Sequence, residues 1–259
     1  MYLRASNKVM QNPADARELL TADDVAQYFG LRPTTIYQWC REGRLPCMKL
    51  GKEWRVRRSA LETFLEQNER RTSLVGQLQA FLTVPDDVLG IAETMQYLHR
   101  LDAAYFQVGE TRGAQLIKFT GGDETPDDAL RADLEHYGLA VRRLEAVGRM
   151  PFIPERDPFA GRADAPRDLV RTEAGEGRTL FVSFNWASRV DLNTVLRQQK
   201  AISEEVNAQQ LVVKSALLQA VTDDWSLAEQ RHAQDVHAGV IWLNERGLGL
   251  RRIVPLPPA

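Results

Sequence analysis

Positively charged side chains are concentrated in one short stretch of this chain, between residues 41 and 58. Seven basic residues lie there against two acidic ones, so the stretch carries about five positive charges. The basic residues are Arg41, Arg44, Lys49, Lys52, Arg55, Arg57 and Arg58. The whole chain has a formal net charge of −2, so the remaining residues are strongly acidic. A basic patch on an otherwise acidic protein indicates contact with a phosphate backbone; a solvated charged hairpin is the alternative.

A group of polar residues comes just before this stretch, in a predicted helix from Pro33 to Glu42. Ile36 and Cys40 share one face of that helix and Trp39 flanks it, so these three are expected in the core. The outward residues are then Thr34, Thr35, Tyr37, Gln38 and Arg41. Glutamine can bond an adenine edge and arginine can bond guanine or phosphate, which suits a helix in the major groove. We expect the basic residues that follow to contact phosphate, which fixes register without reading sequence.

Two short helices are needed to position these side chains. Thr21 can cap a first helix, and Gly30 can end it in the left-handed conformation. Pro33 suits the first turn of the second helix and Gly43 suits its end. Two short helices joined by a turn of about four residues match the helix-turn-helix pattern.

A hairpin and a third helix are predicted to follow. Residues 47–50 and 54–57 can form two strands around a turn at Gly51. Ser59 is a candidate cap for the third helix, with Glu62 completing a capping box. The hairpin would then carry the basic residues beside the second helix.

The stretch from Glu18 to Gln67 resembles the excisionase-type, MerR-like winged helix-turn-helix family. The residues that carry the resemblance are Leu20-Thr21, Ala26, Thr35-Ile36-Tyr37-Gln38-Trp39, Gly43, Leu45-Pro46, Lys49, Gly51, Trp54-Arg55, Arg57 and Leu61. Arg32 departs from the pattern, because the family usually places a serine or threonine cap there. The resemblance implies a winged helix-turn-helix DNA-binding domain over residues 17–66.

Residues that could form a catalytic or metal centre do not combine into a known pattern. The four histidines, at positions 99, 136, 232 and 237, show no metal-ligand spacing, and we expect them at the surface or in caps. The sequence has no G-x-x-x-x-G-K-[ST] phosphate loop, and Ser183 lacks the glycines of a nucleophile elbow. The sequence therefore predicts no catalytic residue, no metal, no cofactor and no enzymatic activity.

Composition is that of ordinary globular material, with 44% apolar and 26% charged residues. No apolar run is long enough to span a bilayer, and no signal-peptide pattern opens the chain. Because the chain has only two cysteines, Cys40 and Cys47, a disulfide framework is improbable and a reducing compartment is expected. The pair is expected to pack as small hydrophobic side chains, and a redox or metal role is the alternative. The expected location is the cytoplasm, in association with the nucleoid.

Residues 67–84 are predicted to form a helical connection. Apolar and small polar residues recur there and just before it at spacings of three or four, which suggests one continuous helix or two helices meeting near Ser73. They are Leu61, Leu65, Asn68, Thr72, Val75, Leu78 and Leu82. The stripe could be a dimer seam with Asn68 as a polar register residue, or a helix packed on the chain's own second domain.

Residues 85–259 show strands that alternate with helices. Strands are predicted at residues 103–108, 115–119, 149–153, 178–184, 210–214, 240–243 and 250–254. Helices are predicted at residues 86–101, 125–137, 166–174 and 189–206. This alternation indicates a mostly parallel sheet covered on both faces, with the last two strands paired as a hairpin.

Residues 103–256 resemble the sensory domain named for dichloromethane-repressor regulators, the MEDS domain. The resemblance rests on residues 130–134, 138–141, 144–150 and 177–183, on Asn185-Trp186 and on the helix of residues 191–205. It implies a RecA-type nucleotide-binding sheet that has lost its phosphate chemistry. The expected fold class is therefore α+β, with an N-terminal winged helix-turn-helix followed by an α/β domain whose mostly parallel sheet resembles a degenerate RecA-like fold.

A ligand site is predicted at the carboxyl end of the strand at residues 178–184, where open sheets of this class bind ligands. Asn185, Trp186 and Arg189 could form its rim, and structural packing of Trp186 is the alternative.

Two functions are compatible with these features. The first is a transcription regulator whose C-terminal domain senses a small-molecule or protein signal or drives assembly. The second is an architectural or plasmid- or phage-type DNA-binding protein whose C-terminal domain only oligomerises or recruits a partner. In both, the expected partners are double-stranded DNA and further copies of the chain, as a dimer or higher oligomer, and no membrane.

Overall fold

The computed structural model describes residues 18–121, 125–154, 178–185, 192, 196 and 210–253. The chain divides into two compact units, Met1–Ser73 and Leu74–Ala259. Each unit has its own hydrophobic core.

The first unit contains three helices and a small antiparallel sheet among its described residues. Its elements are β1 (Leu19–Thr21), α1 (Ala22–Phe29), α2 (Pro33–Arg41), β2 (Met48–Leu50), β3 (Glu53–Arg57) and α3 (Arg58–Thr72). The strand order is β1-β3-β2, so β3 is central. The strand β1 was not expected from the sequence; its pairing with β3 fixes the start of the unit against the hairpin.

The start and end of α1 follow directly from local sequence. The Thr21 hydroxyl accepts a hydrogen bond from the Asp24 N–H, and the Asp24 carboxylate accepts one from the Thr21 N–H. This reciprocal pair satisfies two of the helix's unpaired N–H groups. Gly30 ends the helix with φ of 65°, a conformation that costs glycine little.

The third helix starts differently from the sequence-based prediction. Ser59 was expected to cap it, but α3 begins at Arg58, directly after β3. The Arg58 N–H donates to the Glu18 carbonyl, which extends the pairing of β1 and β3 to the first residue of α3. No separate capping residue therefore lies between β3 and α3. Leu61 and Phe64 of α3 close the core over Ile36 and Val56.

The second unit is built on one large sheet. Its helices are α4 (Leu74–Phe81), α5 (Met95–Thr111), α6 (Asp127–His136), α7 (Val141–Ala146), α8 (Gln219–Thr222) and α9 (Leu227–Asp235). Its strands are β4 (Asp86–Ala92), β5 (Gln115–Thr120), β6 (Phe152–Pro154), β7 (Leu180–Asn185), β8 (Leu211–Leu218), β9 (Gly239–Asn244) and β10 (Gly247–Arg252).

The described strands lie in the order β10-β9-β4-β8-β7-β5-β6. Every neighbouring pair is parallel except β9 and β10, which form the predicted antiparallel hairpin. With the helix-turn-helix unit before it, this sheet confirms the predicted α+β class with a mostly parallel sheet.

Two predicted elements at the start of this unit are wrong. Residues 86–101, predicted as a helix, begin with strand β4, and residues 103–108, predicted as a strand, lie inside helix α5. Both elements are buried on nearly all sides, since every residue of β4 and most residues from Leu98 to Gly109 are buried. Without an exposed side there is no period to separate strand from helix. The helices predicted at residues 166–174 and 189–206 fall almost entirely outside the described residues.

Helices cover both faces of the sheet. On one face α4, α5, α6 and α7 pack on Val88, Phe181 and Val212. On the other, Val221 of α8 packs on a cluster that includes Leu89 and Val240. In α4, Leu78 is fully buried in the core of the second unit. This agrees with the alternative that the connecting segment packs on the chain's own second domain.

The last strand is joined to the beginning of the unit by one side chain. The two terminal nitrogens of Arg252 donate to the two carboxylate oxygens of Asp86, at 2.6 and 2.7 Å. The same guanidinium lies over the Phe81 ring, 4.2 Å from its centroid, and donates to the Phe81 carbonyl. One arginine of β10 therefore links the end of α4 to the start of β4.

Candidate nucleic-acid interface

Only some of the α2 residues predicted to face outward are exposed in the structure. Thr34, Gln38 and Arg41 are exposed, whereas Thr35 and Tyr37 are half-buried. Tyr37 packs against the core of the first unit, so its ring is partly committed to packing. The face that α2 offers to a ligand is therefore carried mainly by the first three residues.

Gln38 is held in place by its own helix. Its Nε2 donates to the Glu42 carboxylate at 2.7 Å, one turn further along. This bond orients the amide of Gln38. It uses the amide nitrogen as donor, so the amide oxygen Oε1 can still accept a hydrogen bond at the exposed surface.

The N-terminus of α2 has no side-chain cap. Arg32 occupies the capping position without a side-chain hydrogen bond to the helix, and Pro33 opens the first turn. An uncapped helix N-terminus favours negative charge, and an arginine beside it adds to that preference. The departure of Arg32 from the family pattern thus places a further positive charge beside α2.

The hairpin distributes its cations over two faces. Arg55 pairs with Met48 on one side and Thr21 on the other, and Arg57 pairs with Leu19, so both arginines lie on one face of the sheet. Lys49 pairs with Trp54 and therefore lies on the opposite face.

The hairpin arginines also differ in exposure. Arg57 is exposed, while the Arg55 side chain is 26% exposed and forms an ion pair with Glu53. Lys52 is exposed in the turn between the strands. Arg58 is half-buried at the start of α3. Arg57 and Lys52 are therefore the hairpin cations best placed to meet phosphate.

Aromatic rings orient two further cations. The Arg44 guanidinium lies 4.7 Å from the centroid of Trp39, and the Lys49 ammonium lies 6.0 Å from that of Trp54. Trp39 is itself fixed against Phe64, with ring centroids 5.7 Å apart. Stacking on a packed ring restricts where each charge can go.

The cysteines correct a sequence-based prediction. Cys40 and Cys47 form a disulfide with a Cα–Cα distance of 5.3 Å, and they were expected to pack as separate thiols. The bond joins the last turn of α2 to the residue before β2. The two cysteines are seven residues apart, and the turn after α2 brings them together. Helical and strand periodicity apply within an element, so they do not predict a contact across such a turn.

The ligand site predicted after β7 lies partly outside the described residues, since Trp186 and Arg189 are not among them. The remaining residue, Asn185, is 2% exposed, and its Nδ2 donates to the Asp102 carboxylate at 3.1 Å. Asn185 therefore belongs to a buried polar cluster and not to an open rim.

The sequence analysis did not predict this buried cluster. The Asp102 carboxylate on α5 receives the ammonium groups of Lys118 at 3.0 Å and Lys214 at 2.7 Å, and the Ser183 hydroxyl at 2.6 Å. All four side chains are fully buried. Lys118, Ser183 and Lys214 are in register on β5, β7 and β8, so they form one row beneath α5. Each lysine lies among apolar residues in a strand that was predicted to be buried, so neither strand alone indicated an ionic cluster.

The cluster keeps its carboxylate charged. Burial alone would raise the pKa of Asp102, but the charges of Lys118 and Lys214, with hydrogen bonds from Lys214 and Ser183, hold it well below its usual range. Next to the cluster, burial and the charges of Asp86 and Asp102 raise the pKa of Tyr105. The Tyr105 hydroxyl lies 2.8 Å from the Val212 carbonyl and 3.1 Å from that of Val182. The arrangement satisfies a buried charge, and none of these side chains reaches solvent.

Two of the four histidines are also placed differently from the prediction. His99 and His237 are buried, at 2% and 3% exposure, although surface or capping positions were expected. His99 Nδ1 lies 2.7 Å from the Asp133 carboxylate, and His237 Nδ1 lies 2.8 Å from the Ala233 carbonyl. Within the described ranges no group of three or more possible ligands is arranged to hold a metal ion. Over the same ranges, no helix is long and apolar enough to cross a membrane.

Comparisons with known proteins identify the first unit. Residues 19–69 match the family model described as a helix-turn-helix domain, which confirms the predicted helix-turn-helix and supports DNA binding. No curated protein matches the chain. The resemblance of residues 103–256 to the MEDS domain receives no support from these comparisons.

Two solved structures are similar to the chain at low sequence identity. A KaiC-like protein from the hyperthermophilic archaeon Pyrococcus horikoshii OT3 is 11% identical, with a TM-score of 0.47, over 66% of this chain and 81% of the other. The ATPase domain of a second protein is 10% identical, with a TM-score of 0.49, over 73% of this chain and 83% of the other.

These matches correct one prediction. The chain was expected not to be an enzyme, and the finding of an ATPase domain among the similar structures contradicts that expectation, which is withdrawn. The expectation had rested on the lack of known catalytic motifs in the sequence. The chain thus carries a helix-turn-helix domain at residues 19–69, followed by an α/β unit with a mostly parallel sheet.

Proposed function

We propose that the chain is a sequence-specific DNA-binding protein of the MerR-like, excisionase-like type that regulates transcription. The observation that carries the proposal is the grouping, within one small unit, of an exposed polar helix face and a basic hairpin. The net charge of the remaining chain is negative, so this grouping is the part of the protein that favours a polyanion.

Base reading is assigned to α2. Thr34, Gln38 and Arg41 are its exposed polar residues, and an arginine or an amide can make paired hydrogen bonds to a base edge. Thr35 and Tyr37, which are half-buried, are assigned supporting contacts at the edge of that face.

Phosphate contact is assigned to the basic residues that follow. Exposed Lys52 and Arg57 lie in the hairpin, and Arg44 and Lys49 are oriented by tryptophan rings. Arg55 and Arg58 are half-buried and would contribute mainly to the local field. Such contacts give affinity and register, and sequence preference then depends on α2.

The second unit is assigned a regulatory or assembly role in a homodimer or higher oligomer. One small helix-turn-helix reads only a few base pairs, so specificity in a genome requires at least two copies on neighbouring half-sites. The proposed location is the cytoplasm, with the protein on DNA; it rests on DNA binding and not on the cysteines, because Cys40 and Cys47 form a disulfide.

The test is selection of genomic DNA fragments by the purified full-length chain, followed by sequencing. The proposal expects fragments that share a short motif repeated about one helical turn apart, or a multiple of it, centre to centre. The double variant Thr34→Ala/Gln38→Ala should lose this enrichment and still bind DNA, because both residues are exposed and contribute little to folding. Retention without any shared motif would favour the architectural alternative and overturn sequence-specific regulation.

A further inference from the structure

A cavity of about 320 Å³ opens in the second unit between the sheet and helices α8 and α9. Its floor is formed by Leu89 and Ile91 of β4, which are both buried. The cavity lies where two parallel strands end, because Gln219 directly follows β8 and Asn244 is the last residue of β9. Carboxyl ends of parallel strands are where open α/β sheets bind their ligands.

Two tryptophans line the same cavity. Trp225 comes from the connection between α8 and α9, and Trp242 comes from β9. Both are half-buried and pack against the cluster that contains Leu89 and Ile91. Gly249 stands opposite Trp242 on β10, so no side chain of that partner covers the indole. Partly exposed indoles on an apolar floor offer flat surface to a planar ring.

Two amide side chains present one acceptor and one donor. Gln230 Nε2 donates to the carbonyls of Thr222 at 2.9 Å and Trp225 at 3.1 Å, which uses both its hydrogens and leaves Oε1 to accept. Asn244 Oδ1 accepts from the Arg246 N–H at 2.9 Å, which leaves its Nδ2 to donate. These internal bonds fix which polar atom each amide offers to a ligand.

Charge and size narrow the class of ligand. Among the described residues that line the cavity, Asp223 is the one charged side chain, and it is exposed. A phosphate or carboxylate placed there would lose hydration without gaining a cation. The volume is at the lower end of the range for ligand cavities, which suits one fused ring system.

We infer that this cavity binds a planar heteroaromatic molecule of one fused ring system, uncharged or cationic, that carries both a hydrogen-bond donor and an acceptor. The rings stack on Trp225 and Trp242, and the polar edge bonds to Gln230 and Asn244. The inference goes beyond the proposed function and does not depend on it, because the cavity lies wholly within the second unit.

The test measures binding of 7-azaindole to the full-length chain by calorimetry and saturation-transfer NMR. This probe is a neutral bicycle with an N–H donor beside a ring-nitrogen acceptor. Indole, which lacks the acceptor, should bind about fivefold more weakly, as expected for one lost hydrogen bond. The 3-carboxylate of 7-azaindole should bind at least about tenfold more weakly, because none of the described lining residues offers a cation to its negative charge.

Variants locate the site. Trp225→Ala and Trp242→Leu should each weaken 7-azaindole binding about tenfold or more, a loss in the range of a stacked ring. Leu227→Ala is the matched control, because Leu227 is 79% exposed, two residues from Trp225 and outside the lining. Asp223→Lys should strengthen binding of the carboxylate probe. Thermal unfolding establishes that each variant is folded, and Trp225→Ala, on the connection, carries the test if Trp242→Leu disturbs the sheet.

The inference is overturned if 7-azaindole does not bind. It is also overturned if the carboxylate binds equally well, or if folded Trp225→Ala binds 7-azaindole as the unmodified chain does. If the unmodified chain binds 7-azaindole but enriches no DNA fragments with a shared motif, the result counts against the proposed function alone.

Discussion

The ammonium nitrogen of Lys214 and a carboxylate oxygen of Asp102 lie 2.7 Å apart, in a place where neither side chain is exposed to solvent. Asp102 also receives Lys118 and hydrogen bonds from Ser183 and Asn185. A buried carboxylate that satisfies two ammonium groups holds α5 to three neighbouring strands at once. It is therefore a place where one substitution leaves several groups unpaired.

We expect Asp102→Asn to lower the free energy of unfolding of the second unit by about 3–5 kcal/mol, because it leaves two buried ammonium groups without their counter-charge. Chemical denaturation of the full chain measures this. Asp128→Asn is the control, since its side chain is fully exposed, and it should change stability by less than about 0.5 kcal/mol. Adding Lys118→Met and Lys214→Met to Asp102→Leu should recover much of the loss. Equal stability of Asp102→Asn and Asp128→Asn would contradict the assigned role.

Stability should depend on pH through His237. Burial lowers the pKa of His237 from its ordinary 6.5, against the opposing effects of the Asp87 charge and the Ala233 carbonyl. The folded state thus favours the neutral ring, so below pH 6.5 the unfolded state takes up a proton that the folded state does not. The free energy of unfolding should therefore fall with decreasing pH, by up to about 1.4 kcal/mol per pH unit, until the lowered pKa is reached.

The measurement is denaturation between about pH 7 and pH 5 for the unmodified chain and for His237→Gln. The variant should lose this part of the pH dependence, while His232→Gln, at an exposed position of α9, should retain it. An identical pH dependence in all three proteins would refute the assignment to His237.

On DNA, Gln38 and Arg57 should behave differently. Gln38→Ala should reduce discrimination between selected and random DNA by roughly 1–3 kcal/mol, because a base contact is lost. Arg57→Ala should weaken both DNAs about equally and make the log–log salt slope shallower by about one. Titrations of the full chain at several salt concentrations measure both quantities. If Arg57→Ala relaxed specificity and Gln38→Ala did not, the roles of α2 and the hairpin would be reversed.

The disulfide should stabilise the first unit. It closes a short loop between Cys40 and Cys47, and a loop of that size restricts the unfolded chain by about 2–3 kcal/mol. A dithiol reductant should lower the unfolding midpoint of the unmodified chain and leave that of Cys40→Ala/Cys47→Ala unchanged. An equal response of both proteins to the reductant would show that another effect is being measured.

Local rules were sufficient for the first helix. The cap at Thr21 and the stop at Gly30 are set by neighbouring residues, so they could be predicted in the first unit. Buried elements were harder, because β4 is buried throughout and α5 is mostly buried from Leu98 to Gly109, so they offer little exposed side from which to read a period. The row of Lys118, Ser183 and Lys214 depends on strand order and register, which link residues up to 96 positions apart and leave no signal in any one segment.

The pairing of Arg252 with Asp86 and Phe81 has a consequence for how the second unit could be re-engineered. The end of α4, the start of β4 and the last described strand, β10, are neighbours in space. A short linker from the end of β10 back to α4 would then allow a new start at a surface turn such as Glu245-Arg246. Such a circular permutant would keep every described strand pairing and lose only the turn between β9 and β10. In it, α4 would be joined to β10 and no longer to the helix-turn-helix unit.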